Sequence, residues 1–335
     1  MSQADFASLS NLLMDVAIVG YSVAMLLYAM EMLTAKVRPA RERAQAKQPE
    51  LVGATVGGSS GAAGDADAPE PDDDATAVPH PGARSVFLGR AAVAITVLAW
   101  LCHLVQIVSR GVAADRWPWG NMYEFTSTIC FTAVTAFLAL LVKRNVRFLG
   151  LYLLALVVLG LGLNGALLYK SAGPLVPALH SYWIAIHVTA AILAIGLFAV
   201  SAVVSALYLF ADRHQAKVAK GADTSSAGLL RRVPAPEALD KLSYRVIAVA
   251  FPIWTFALVA GAIWAEAAWG RYWGWDPKET WTFIIWVIYA GYLHARVTAG
   301  WRGRRAAIIA LAAFAAILVN YFVVNIWIVG LHSYA

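Results

Sequence analysis

Trp269-Gly-Arg-Tyr-Trp273-Gly-Trp275-Asp276-Pro-Lys-Glu279-Thr-Trp281 lies between two apolar segments, about 244–266 and 279–296, each long enough to cross a bilayer. Seven of the 13 tryptophans of the chain fall between Trp254 and Trp286. Aromatic rings do gather where a membrane meets water. A belt of that kind needs one or two rings per helix end, not four in a 13-residue loop with Asp276 and Glu279 among them. Such a loop offers a broad π-rich surface with a few charges, suited to a large planar ligand more than to lipid alone.

Working outward from this loop, the composition sets the class. The chain is 60% hydrophobic and 14% charged, with a mean hydropathy of +0.65, which excludes an ordinary soluble domain. A spanning helix needs about 20 apolar residues. Eight segments qualify, at about 12–34, 86–108, 122–142, 147–169, 182–211, 244–266, 279–296 and 306–329. The expected fold is therefore an all-α polytopic membrane protein with about eight transmembrane helices. The first segment follows a Ser-rich start without Lys or Arg and lacks a small-residue cleavage signal, so it reads as a retained helix.

Placing Lys36–Arg90, Lys143–Arg147, the 212–245 loop and Arg296–Arg305 on one side collects 21 of the 26 Lys and Arg. The positive-inside bias makes that side cytoplasmic and puts both termini and the Trp loop outside, in a cell (plasma) membrane. The net charge of +6 is accounted for by these loops and needs no nucleic-acid partner. Three regions follow: a first helix over 1–35, a cytoplasmic linker over 36–85, and a seven-helix membrane domain over 86–335 with the outer loop at 264–281. The tract 48–85, rich in Ala, Gly, Pro and Asp, is expected to be disordered, and 214–236 is a shorter linker of similar kind. No internal repeat stands out, which argues against an inverted-repeat transporter.

Cys102 and Cys130 both fall within predicted helices and form no Cys-x-x-Cys, so thiol–disulfide exchange is not expected of this chain. No phosphate-binding glycine loop, serine nucleophile elbow or zinc-type cluster is present. The seven histidines remain. His80 and His214 fall in cytoplasmic loops, and His103, near the outer end of the second helix, reads as structural. His187 sits five residues into the fifth helix, ~8 Å below its outer end. His332 follows the last helix on the same face. Two imidazoles and a set of indoles thus converge on one outer surface. Imidazole is well suited to haem iron, and two would fill both axial positions. Arg271 or Lys278 would then meet a propionate. His180, seven residues before His187, shares its helix face if that helix starts early, and spacing does not separate the two. His294 lies 15 residues after Glu279, ~22 Å deeper, too far to share one iron with His332. An ionisable residue so far into a membrane helix is a functional candidate. Asp276, among indoles, is expected to shape the loop by accepting from N–H donors, and Glu279 to favour the dipole of the seventh helix.

The pattern Trp269-Gly270, Trp273, Trp275-Asp276 and Glu279 resembles the WWD signature of haem-handling membrane proteins. Within that superfamily the chain is most similar to the CcsA/ResC family of System II cytochrome c biogenesis, often labelled CcsB in actinobacteria. Supporting stretches are Trp264-Ala-Glu-Ala-Ala-Trp269, Gly274-Trp-Asp-Pro-Lys-Glu-Thr-Trp281, Tyr292-Leu-His294, Gly300-Trp-Arg-Gly-Arg304 and Gly330-Leu-His332-Ser-Tyr. Asn121-Met-Tyr-Glu124 and Trp183-Ile-Ala-Ile-His187 also fit, so the resemblance covers most of 85–335; the tract 48–85 departs from it. It implies that His187 and His332 are the outer axial ligands of haem b held against Trp269, Trp273, Trp275, Asp276, Glu279 and Trp281. It also implies that His294 receives haem from the cytoplasmic side. The chain would act as one subunit of a haem-attachment complex, not competent alone, with a ResB-like membrane partner. Apocytochrome c would be the acceptor at its Cys-x-x-Cys-His, its thiols reduced by a thioredoxin-like protein. A System I haem delivery protein, another solute transporter and a structural membrane subunit are the rival readings.

Overall fold

The computed structural model describes residues 2–34, 82–173, 181–220 and 232–332. All regular structure among the described residues is helical. The helices are α1 (Gln3–Thr34), α2 (Ala83–Ala114), α3 (Met122–Lys143), α4 (Phe148–Leu167), α5 (Tyr182–Ala219), α6 (Pro236–Trp269), α7 (Pro277–Thr298) and α8 (Arg304–Leu318). A wider π-helical turn, Val319–Val324, and a last short turn, Asn325–Trp327, continue α8. Seven of the eight, counting α8 with its continuation, are long and apolar enough to cross a membrane. The exception is α7, 22 residues long, whose Lys278, Glu279, His294 and Arg296 dilute an otherwise span-length helix. The chain is an all-α multi-pass membrane protein.

Local chemistry sets the helix limits. Asn121 and Ser181 cap α3 and α5, their side chains accepting from the amides of Glu124 (2.9 Å) and Trp183 (3.3 Å). Proline at the first helical position opens α6 and α7, where its missing N–H costs nothing. Gly270 ends α6 in the left-handed conformation (φ 70°), its amide donating to the carbonyl of Glu266. The α5 helix runs on to Ala219 and α6 starts at Pro236. The expected 212–245 loop is therefore helical at both its ends, over 212–219 and 236–245, and His214 lies on a helix extension, half-buried. The predicted linker over 36–85 lies outside the described residues up to position 81, with α2 beginning at Ala83. His80 and His180 also lie outside them.

The helices form two halves that share α5. In the first, α1 packs along α2 and α4, and α3 bridges α4 to α5 around Tyr28, Phe137, Leu149, Leu153 and Leu207. In the second, α5 packs on α6 and α8, and α7 closes against α8 around Phe198, Ile247, Trp254, Ile285 and Tyr289. The buried face of α8 is almost all alanine (Ala306, Ala307, Ala310, Ala313), which lets backbones approach where no water drives association. Inside the first half, Tyr21, His103, Ser127, Gln106 and Ser10 form a buried chain of hydrogen bonds that satisfies His103 on both ring nitrogens (3.3 Å and 3.0 Å). His103 is structural, as its position suggested. Cys130 is buried and Cys102 half-buried.

At the end opposite the Trp loop, Asp240 on α6 holds Arg296 on α7 through two bonds (2.7 Å and 2.9 Å) and accepts from the amide of Gly303 (3.1 Å). Arg296 also lies over Tyr244 (4.6 Å to the ring centre). This clasp ties the α7–α8 turn to α6.

Candidate ligand cavity

Between the halves, at the Trp-loop end, is a cavity of about 980 Å³, at the upper end of the roughly 300–1,000 Å³ usual for small-molecule sites. Residues from α2, α3, α5, α6, α7 and the π-helical turn line it, with His187 and His332 both on its wall. The local turns around each imidazole explain how it is held.

His187 Nδ1 donates to the carbonyl of Ala257 on α6 (2.8 Å). That carbonyl already points along the helix towards residue 261, and there the chain has glycine. A Cβ on Gly261 would stand 2.7 Å from both Nδ1 and Cε1 of the ring, so only glycine admits the imidazole to this carbonyl. His332 Nδ1 donates to Asp276 Oδ2 (2.7 Å), and the amide of Leu331 donates to Asp276 Oδ1 (2.7 Å). Gly330 makes the same kind of room, since its Cβ would lie 2.7 Å from Asp276 Oδ1. In both rings Nδ1 carries the proton and Nε2 is the basic nitrogen. Orienting a metal-binding histidine through its other nitrogen, by a carbonyl or a carboxylate, is the usual second-sphere arrangement.

Electrostatics keep this geometry at neutral pH. Burial raises the Asp276 carboxyl, but the Leu331 amide and the His332 ring outweigh it and hold the group below the usual carboxylate range. Burial lowers His332 below the usual imidazole value, with Asp276 pulling the other way. The ring is neutral, the form that ligates metal.

The loop tryptophans divide among roles instead of forming one flat platform. Trp273 lines the cavity. Trp269 packs edge-on against His332 (4.7 Å between ring centres) from behind. Trp275 is 66% exposed, perpendicular to Trp273, and held at φ 58°, a conformation that non-glycine residues seldom adopt. Trp281 packs into the core of the second half. Glu279 lines the cavity yet is spent on the loop: it accepts from the amides of Gly274 (2.8 Å) and Asp276 (3.1 Å) and pairs with Arg271 (3.3 Å). Its role is thus wider than the dipole effect expected of it, and Asp276 accepts, as expected, from a backbone amide, that of Leu331, and also from the His332 ring. His294 is exposed on α7 and is not part of the cavity wall.

Three contributors had no role assigned to them from the sequence, although Trp264 and Glu124 lie in stretches quoted for the resemblance. Trp264, 1% exposed, lies between the imidazoles, parallel to His187 (6.1 Å, 7°) and edge-on to His332 (5.5 Å). Its place one turn above Gly261 was the available signal. Glu124, buried on α3, pairs with Arg110 (3.1 Å) and Arg116 (2.6 Å) and so fixes the α2–α3 turn that forms one wall. The π-helical turn puts Asn320 and Tyr321 on the wall and the short turn after it adds Asn325, with the Tyr321 hydroxyl bonded to the Met122 carbonyl (2.9 Å) across the halves. Such wide turns recur at functional sites.

The fold and site define a multi-pass membrane protein with an apolar chamber that presents two oriented imidazoles. Residues 119–332 match the family described as cytochrome C assembly protein, and the chain belongs to that family. It is 35% identical over 293 residues to the cytochrome c biogenesis protein CcsA of Gloeobacter violaceus, covering 73% of this chain and 85% of that one. To the protein of the same name from Prochlorococcus marinus (strain MIT 9303) it is 37% identical over 276 residues, with the same coverage. Among solved structures, the cytochrome c heme lyase CcmF superposes with a TM-score of 0.58 at 16% identity. That match covers 96% of this chain and 47% of the CcmF chain, and it speaks for the fold alone. The chain functions in cytochrome c biogenesis.

Proposed function

We propose that this chain receives haem b on the cytoplasmic side near His294 and holds it on the outer side between His187 and His332 for transfer to apocytochrome c. What carries the reading is the pair of imidazoles on one cavity wall, each with Nδ1 tied down and Nε2 as the basic nitrogen. The charge bias that puts the Trp loop outside supports the direction of travel, and the CcsA relatives support the System II setting. The site fits haem in size, in its largely apolar lining, and in donor type.

In this reading the chain supplies positioning. His187 and His332 ligate the iron, Trp264 and Trp273 flank the macrocycle, and Asp276 and Glu279 keep the loop in register with the C-terminal segment. The two substrate thiols add across the haem vinyl groups, each S–H giving a thioether with no leaving group, and the substrate histidine displaces one protein ligand. A ResB-like membrane partner completes the complex, and a thioredoxin-like protein keeps the thiols reduced. His294, exposed towards the surroundings of α7, is the first station.

Optical spectra of the purified chain co-expressed with its membrane partner test this. Wild type should show reduced low-spin bands of bis-imidazole ligation, and His187→Ala or His332→Ala should lose or shift them, with partial recovery on adding imidazole. Unchanged bands in both variants would sink the assignment.

A further inference from the structure

We propose that Lys278 binds an ionised carboxylate of the cavity's ligand. This rests on the haem reading above, and it assigns the recognition of the ligand's acidic edge to one side chain.

Lys278 stands in the first turn of α7 and lines the cavity beside His332 and Glu279. Lys278 lines the same cavity as both imidazoles, so a ligand held by the two rings lies beside it. Every other charge on the wall is already matched or lies at the mouth. Arg116 is engaged by Glu124 through two bonds (2.6 Å and 3.1 Å) and by the carbonyls of Gly173 and Trp117. Glu279 is taken by Arg271 and two loop amides. Asp115 is exposed. The Lys278 ammonium has no hydrogen bond or ion pair among the described residues; Asp276 is the opposite charge that acts on it, and both Asp276 oxygens already accept, from Leu331 and His332. Arg271, the alternative cation of the loop, is paired with Glu279 and stands over Trp269 outside the cavity wall.

Burying part of an ammonium costs solvation that a ligand's carboxylate would offset. Its three donors on a flexible stem suit a carboxylate at the edge of a planar ring. The apolar remainder of the lining suits the ring itself.

The test compares ferric protoporphyrin IX with its dimethyl ester, which keeps the ring, iron and vinyl groups and removes both carboxylate charges. Binding to the purified full chain is read by the imidazole-ligated absorption bands. Wild type should prefer the diacid by about 10-fold. Lys278→Met should lose that preference by weakening the diacid alone, and its unchanged affinity for the ester reports intact folding. Lys278→Arg should keep the preference. Equal wild-type affinity for diacid and ester, or an unaltered preference in Lys278→Met, overturns the role of Lys278 while leaving the imidazole site standing. Absence of imidazole-ligated bands with either porphyrin overturns the haem reading, and this proposal with it.

Discussion

Replacing Asp276 with asparagine tests the site through a single atom. In the native chain Asp276 Oδ2 accepts from His332 Nδ1 at 2.7 Å while Oδ1 accepts from the Leu331 amide at 2.7 Å. Asparagine keeps an oxygen for Leu331, so its NH2 faces the imidazole. Two donors cannot meet, so the ring must move its proton to Nε2, the nitrogen assigned to iron, or turn away. Removing an outer partner of this kind typically costs 10–100-fold in metal affinity, about 1.4–2.8 kcal/mol. The expected outcome for Asp276→Asn is a 10–100-fold weaker ferric haem titration and a shift of the low-spin bands, with the thermal transition in detergent little changed. Asp276→Glu, which keeps the acceptor but lengthens the arm towards Gly330, should fall between the two. Haem affinity and spectrum equal to wild type in Asp276→Asn would refute the orienting role of this carboxylate.

Other outcomes follow from the same geometry. Gly261→Ala places a methyl group 2.7 Å from the His187 ring; it should cost about 1–3 kcal/mol in stability and shift the imidazole-ligated spectrum, and a normal spectrum would show that the Ala257 contact is dispensable. Glu279→Ala removes the acceptor for the Gly274 and Asp276 amides and should open residues 270–276 to proteolysis without unfolding the bundle. Asp240→Ala strips the partner from a mostly buried Arg296; a loss of about 3 kcal/mol is expected in thermal unfolding, with the outer ligand spectrum retained. Acidification should release the C-terminal segment in order. The neutral His332 ring contributes its stability above the ordinary imidazole range and loses it as pH falls through its lowered value. The Asp276 anchor persists to lower pH still, because its contribution is lost only as pH falls through a value already below the usual carboxylate range. An acid titration in which the Asp276 carboxyl protonated before the His332 ring would contradict this order.

The sequence by itself determined the class of protein, the number of long helices and the loop that matters. Those properties depend on composition and on local periodicity: a run of about 20 apolar residues has few fates other than a membrane helix, and proline at Pro277 or glycine at Gly270 marks a boundary through its own φ angle. Position brought His187 and His332 to one membrane face but left His180 beside His187, and the family resemblance made the choice between them. Only the tertiary structure decided which nitrogen each ring presents, because Ala257 lies 70 residues from His187 and Asp276 lies 56 from His332. It likewise set Trp264 between the imidazoles, turned Trp275 outward and left the Lys278 ammonium without a partner among the described residues. Such facts arise where segments distant in the chain meet, and the steric room at Gly261 and Gly330 has no meaning until the ring and the carboxylate that fill it have arrived.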